Sequence, residues 1–165
     1  MELITTHNRT DFDALASVVA ATFLYPGAVG VLPRLLQTNV QQFLAIHKDL
    51  FRLRPAAQVD RAAITRLVIV DTNQWKRLDR MDDLRERRDL EVHLWDHHMA
   101  GSDIEAAWEC HEEVGATISL MVREMKARDC AFAPMQATLF LLGLYEDTGS
   151  LSFPSVKADD AHAAA

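Results

Sequence analysis

Two short apolar runs near the middle of the chain restrict its fold more than any other feature. Leu67-Val68-Ile69-Val70 leads straight into Asp71, and Val92-His93-Leu94-Trp95 leads straight into Asp96-His97-His98. A strand that is apolar at successive positions, and not at alternate ones, is buried on both faces, which is the pattern of a covered parallel sheet. In such a sheet the strand C-termini share one edge, so polar residues placed directly behind the strands converge there.

The rest of the sequence alternates in the same sense. Leu3-Ile4-Thr5 predicts an opening strand, and Asp11 or Thr10 can cap a helix whose apolar positions Leu15, Val18, Val19 and Phe23 continue until Pro26-Gly27. Val29 to Leu32 predicts a second strand. Leu36, Val40, Phe43, His47, Leu50 and Phe51 mark one face of a second helix, and Arg52 to Ala63, with Pro55, reads as a polar loop. Ile118, Met121, Val122 and Met125 predict an amphipathic helix, whereas Ala137 to Tyr145 is apolar on all sides and predicts a helix buried in the core. The expected fold is α/β, a three-layer domain with a mainly parallel sheet and helices on both faces. One domain over residues 1–165 accounts for a chain of this length and 49% hydrophobic content. The final "VKADDAHAAA", where Asp159 or Asp160 could cap a helix, is too short to hold one by itself, so the chain is expected to be a piece of a longer polypeptide.

Charge and cysteine content narrow the function. With 17 basic and 24 acidic residues, a net charge of −7, the chain lacks the excess of a general nucleic-acid binder, although a local phosphate site remains compatible. Cys110 and Cys130, without a signal-like N-terminus, fit a reducing cytoplasm, and no apolar run reaches membrane-spanning length.

The strand-end residues carry the chemistry. "THNRTDFDALAS" places His7, Asp11 and Asp13 behind the first strand, Asp71 and Asp96-His97-His98 stand behind two others, and Asp147 falls in "YEDTGSLSF" just after the buried helix. Two carboxylates about 4 Å apart repel by roughly 4 kcal/mol at an effective dielectric near 20, so such a gathering calls for cations. Oxygen and imidazole donors without thiolate suit manganese or magnesium, with cobalt or zinc as further possibilities, and argue against a structural zinc site. Several carboxylates can bridge two ions into a clamp for phosphoryl chemistry.

These four motifs, in this order, resemble the DHH phosphoesterases: His7-x3-Asp11-x-Asp13 followed by Ala14 and Ser17, Asp71 at a strand end, Asp96-His97-His98, and Asp147 in an Asp-Thr-Gly turn. The resemblance implies a metal-dependent hydrolase, typically with two Mn2+ ions, that attacks phosphorus with a hydroxide whose pKa the ions lower. It further implies that His7 and Asp11 hold one metal, Asp13, His97 and Asp147 the other, and that Asp71 bridges them. By the same resemblance His98 reaches the substrate phosphate and Asp96 orients a histidine. Members of the family include single-strand exonucleases, nanoRNases, cyclic-dinucleotide phosphodiesterases and family II pyrophosphatases. "VIVDTNQW" and "LFLLGLYEDTGSLSFPS" are similar to the DHH domain at the N-terminus of bacterial proteins that continue into CBS domains and a tRNA nucleotidyltransferase or poly(A) polymerase module. This implies a nucleotide, short oligonucleotide or RNA end as ligand, with further domains in the same polypeptide. The family's smaller second domain is not expected within these residues. The alternatives are a non-catalytic domain that binds a nucleotide or RNA end, and an inorganic pyrophosphatase.

Other polar and aromatic residues have simpler expectations. His47 on a helix face and His93 within a strand are expected to pack, and His111 beside Cys110 is not expected to form a second metal site with Cys130. Among Trp75, Trp95 and Trp108, each able to stack on a base, Trp95 is expected in the core. Trp75 and Arg77, just after Asp71, are the candidates for lining the crevice.

Overall fold

The computed structural model describes residues 1–165, apart from the side chain of Asp82. Six strands, β1 (Glu2–Thr5), β2 (Val29–Leu32), β3 (Leu53–Pro55), β4 (Arg66–Val70), β5 (Glu91–Asp96) and β6 (Trp108–His111), form one sheet in the order β3-β2-β1-β4-β5-β6. Every neighbouring pair is parallel. Five helices accompany it: α1 (Phe12–Leu24), α2 (Thr38–His47), α3 (Thr117–Ala127), α4 (Pro134–Thr148) and α5 (Ala158–Ala164). No helix among the described residues is long and apolar enough to cross a membrane.

Strand periodicity divides the core into two layers. Ile4, Val68, Val70 and Trp95 pack with the buried faces of α1 to α4, while Leu3, Leu67, Ile69 and Leu94 point to the other side. That second side is closed by short 3-10 turns and loops contributing Trp75, Leu78, Met81, Leu84 and Ile104, where a third α-helical layer would ordinarily lie. The α/β class and parallel sheet are those the apolar runs imply.

The structure departs from the sequence reading at several elements. The stretch 52–63, expected as a loop, contains edge strand β3, and β6 has no counterpart in the sequence pattern; both lie at the ends of the sheet, where one side needs no partner and an apolar run is not required. Helix α4 is not buried all round: Leu139, Phe140, Gly143 and Leu144 are enclosed, but Leu142 is 36% exposed and Tyr145 41%. Asp147 lies in the last turn of α4 and not in the turn after it, which begins at the left-handed Gly149 with φ 55°. At the last helix, Asp160 is the residue that folds back on the N-terminus, accepting from the N–H of Lys157 at 2.8 Å.

Candidate metal centre

The strand order reverses between β1 and β4: β2 and β3 continue on one side of β1, β5 and β6 on the other side of β4. Connections leave that gap in opposite directions and open a crevice at the strand C-termini. His7 lies just beyond β1, Asp71 directly beyond β4, and Asp96 ends β5 with His97 and His98 behind it. Asp71 turns the chain at once by adopting φ 59°, a left-handed conformation in which aspartate is one of the better-tolerated residues, and its N–H still donates to Trp95 O at 2.8 Å.

Two helices bring the other carboxylates. Asp11 caps α1 by accepting from Ala14 N with Oδ1 at 3.0 Å, while its Oδ2 stands 3.7 Å from His7 Nε2. One carboxylate therefore serves both as cap and as member of the cluster. Asp13, fully buried in the first turn of α1, accepts from the backbone N–H of Thr117 at 2.7 Å and of Ile118 at 2.8 Å, the open N–H groups at the start of α3. Helix α4 can approach because residue 143 is glycine; a Cβ there would lie 2.8 Å from Phe12 O, 2.9 Å from Ala16 Cβ and 3.0 Å from Asp13 Cα. That close crossing carries Asp147 to the cluster.

Three trios result, each with donor atoms within 4.8 Å of one another: His7, Asp11 and Asp71; Asp13, His97 and Asp147; and Asp71, His97 and His98. Asp71 is central, with Oδ2 at 3.2 Å from His7 Nε2 and Oδ1 at 3.6 Å from His97 Nε2. Both imidazoles are oriented by backbone carbonyls, since Nδ1 of His7 is 2.9 Å from Asn8 O and Nδ1 of His97 is 3.1 Å from Val114 O. When neutral, each ring carries its proton on Nδ1 and turns the Nε2 lone pair toward the carboxylates. Nε2 of His97 is buried and makes no hydrogen bond, although it is 3.4 Å from Asp147 Oδ2. An orphaned imidazole nitrogen among carboxylates fits a divalent cation held by mixed nitrogen and oxygen donors.

The electrostatics of the metal-free cluster point the same way. Burial, reinforced by the charge of Asp11, pushes Asp71 up to about 7. Asp13 is raised well above the carboxylate range by burial and then by Asp71 and Asp147. Burial acts to lower His97, but Asp147, Asp13 and Asp71 outweigh it and bring the imidazole to about 10. His7 is lowered, chiefly by burial. Protons thus offset the carboxylate repulsion that a cation would otherwise relieve.

Asp96 is fully buried, and its Oδ1 accepts from His98 Nδ1 at 2.8 Å. This leaves Nε2 of the 40% exposed His98 side chain as the nitrogen available to a ligand. Arg77 is close enough to His7 for its charge to oppose protonation of that ring. Trp75 is a correction: it is 5% exposed and packed with Leu78, Met81 and Leu84 below the sheet, so its ring is not presented to the crevice. Its apolar indole is better accommodated in the layer that the 3-10 turns close. Residues not foreseen include Thr117, whose Oγ1 donates to Asp71 Oδ1 at 2.8 Å, and His111, whose Nε2 is 2.6 Å from His98 O. Asp160, fully buried, accepts from Gly115 N at 2.8 Å and Ser119 Oγ at 2.6 Å and so fixes the segment that carries Thr117.

Known proteins resemble the chain over most of its length. The family model described as the DHH family, N-terminal domain, matches residues 2–144. An A-adding tRNA nucleotidyltransferase of Geobacter sulfurreducens is 36% identical over 166 residues, covering 99% of this chain and 19% of that protein. A second, from Aquifex aeolicus, is 30% identical over 155 residues, covering 94% of this chain and 18% of that one. The chain thus spans about a fifth of the length of these relatives. Among solved structures, a Methanococcus jannaschii protein assigned to the family II inorganic pyrophosphatases superposes with a TM-score of 0.70 at 22% identity, over 99% of this chain and 53% of that one, which is a likeness of fold.

Proposed function

Because the chain belongs to the DHH family, we propose that it is a metal-dependent phosphoesterase domain acting on phosphodiester or phosphoanhydride bonds at the ends of nucleotides, short oligonucleotides or RNA. In this reading it is one domain, residues 1–165, of a longer cytoplasmic polypeptide of the tRNA nucleotidyltransferase or poly(A) polymerase type. The observation that carries the reading is the pair of trios, His7-Asp11-Asp71 and Asp13-His97-Asp147, with an unpartnered His97 Nε2 between carboxylates. Two Mn2+ ions are the proposed occupants, with Mg2+ or Co2+ as substitutes, and Asp71 is the residue placed to serve both.

Bound divalent cations supply Lewis-acid polarisation of phosphoryl oxygens and lower the pKa of water toward neutrality. The protein side of the chemistry falls to His98 and its neighbours. Asp96 fixes the His98 ring, so that its Nε2 can face a phosphate oxygen or a leaving group. Asp71 keeps its orientation through Thr117. Arg77, half-buried beside His7, adds positive charge at the edge of the crevice.

The test is hydrolysis of short oligoribonucleotides, cyclic dinucleotides and pyrophosphate in the presence of Mn2+, with Asp71→Asn as the blank. Turnover dependent on both Mn2+ and Asp71 is expected for at least one phosphodiester. Binding without turnover would replace this reading with a regulatory one, and turnover of pyrophosphate alone would make the domain a pyrophosphatase.

A further inference from the structure

The cations of this acidic chain are unevenly employed. Several are neutralised in pairs, as Arg66 with Glu2 and Glu91, Arg87 with Asp89, and Arg123 with Glu112 and Asp159. Among the described residues, no carboxylate pairs with Arg9, Arg34, Lys48 or Arg54, in segments on the β1–β2–β3 side of the metal centre, or with Arg77, in the turn after β4 that hydrogen-bonds to Asn8.

Backbone hydrogen bonds place these segments side by side, starting at the metal centre itself. His7 forms a bridge with Leu78, and Asn8 N donates to Arg77 O at 2.8 Å. Arg9, held in the left-handed region with φ 61°, donates its N–H to Leu35 O at 2.8 Å, and Arg34 donates its N–H to Asp79 Oδ2 at 3.0 Å. Beyond them lies a cavity of about 350 Å³, whose charged lining residues are Arg34, Lys48, Arg54, Arg80 and the single acid Asp79. Its walls also include Leu32, Pro33, Leu53 and Pro55. Between cavity and metal centre, Arg9 and the 50% exposed Leu35 border a second concavity with Thr38 and Asn39 of α2, a helix whose N-cap residue Gln37 makes no side-chain cap.

The geometry points to a binding track for single-stranded nucleic acid, running from His7 across Arg9 and Arg34 into the cavity between β2, β3 and the 79–80 turn. This rests on the phosphoesterase reading and extends it, because it places the part of a strand that is not being cleaved. Spaced guanidinium and ammonium groups match the repeated phosphates of a strand, while the leucine and proline walls match the faces of its bases. A chain of inorganic phosphate offers nothing to those walls, and a ligand that stays at the metals leaves them unused. The favoured ligand is therefore an oligonucleotide several residues long with one end at the metal centre.

The test uses the 165-residue chain loaded with Mn2+ and a fluorescent single-stranded RNA of about twelve nucleotides, within the site sizes common for such grooves. Fluorescence anisotropy would compare wild type with the paired substitution Arg34→Glu and Arg54→Glu, both exposed positions outside the metal cluster. Circular dichroism and Mn2+ titration serve as checks on folding and loading. The expected result is binding of the longer RNA weakened about tenfold or more at low salt, with the salt slope reduced by about 0.7 for each phosphate that the protein no longer neutralises. Affinity for a dinucleotide should be unchanged. Equal affinity of both proteins for the long RNA, no binding of it by wild type, or equally tight binding of inorganic polyphosphate would each overturn the track. Asp71-dependent hydrolysis of short substrates without arginine-dependent RNA binding would remove the track and keep the phosphoesterase. Arginine-dependent binding without any hydrolysis would do the reverse.

Discussion

Thr117 donates its hydroxyl to Asp71 Oδ1 across 2.8 Å, joining the start of α3 to the carboxylate at the centre of the cluster. The same residue gives its backbone N–H to Asp13 at 2.7 Å. One threonine therefore orients a carboxylate of each principal trio, by two different groups.

Thr117→Val keeps the shape and the backbone donor but removes the hydroxyl. Asp71 then loses a buried hydrogen bond, and the expected cost is about 1–3 kcal/mol of stability, with Mn2+ affinity falling about tenfold or more as is usual when a ligand loses its support. Urea denaturation and calorimetric titration measure the two effects; unchanged Mn2+ affinity would show that Asp71 needs no help in facing the cations.

Asp71→Asn should act in opposite directions depending on the metal. Without metal, above neutral pH, it removes a buried charge that burial and Asp11 disfavour, so the melting temperature should rise. With excess Mn2+ the wild type should gain stability by preferential binding to the folded state and the variant should gain little. Thermal melts with chelator and with Mn2+ decide this, and a variant destabilised equally in both would contradict it.

The metal-free protein should lose stability as pH rises. Asp71 sits at about 7 in the folded chain against an ordinary value of 3.8, so its contribution is complete below about 4 and lost on passing 7. His97, raised from 6.5 to about 10, holds its contribution below 6.5 and loses it through 10. His7 is lowered and opposes the trend only on the acid side of 6.5. Denaturation in chelator between pH 5 and pH 9, flanking the 6.5 reference value of the histidines, should therefore show a falling midpoint, with added Mn2+ reversing the decline as protons leave the ligands. A midpoint that climbs across that range without metal would refute the assignment.

Gly143→Ala tests the helix crossing. The added methyl meets Phe12 O at 2.8 Å and lies 3.0 Å from Asp13 Cα, so α4 must move outward, at a cost of about 1–3 kcal/mol. Asp147 moves with it. Mn2+ titration should show one of two binding steps weakened, the one that depends on Asp13, His97 and Asp147; an equal loss at both steps would point to general loosening.

Much of this was legible from the sequence because the site is built at the ends of strands that must be apolar. β4 and β5 announce themselves by composition, and whatever follows them has to stand at the sheet edge. Thr117 gave no such signal, since half of its work is done by an N–H that any residue but proline possesses. Asp160 was visible only as a helix cap, because its partners Gly115 and Ser119 are distant in sequence. Trp75 misled for the opposite reason: its position after Asp71 suggested the crevice, whereas the layer that receives its ring is assembled from turns without periodicity. β3 and β6 are short edge strands with few buried residues, so neither left an apolar run to find.

The two principal trios are completed at different points along the polypeptide. His7, Asp11 and Asp71 belong to the first half of the chain, whereas Asp13 and His97 wait for Asp147 near the end of α4. A nascent chain emerging from the ribosome therefore presents one complete set of donors well before the other. The second set closes only when the last long helix has docked and carried Asp147 in.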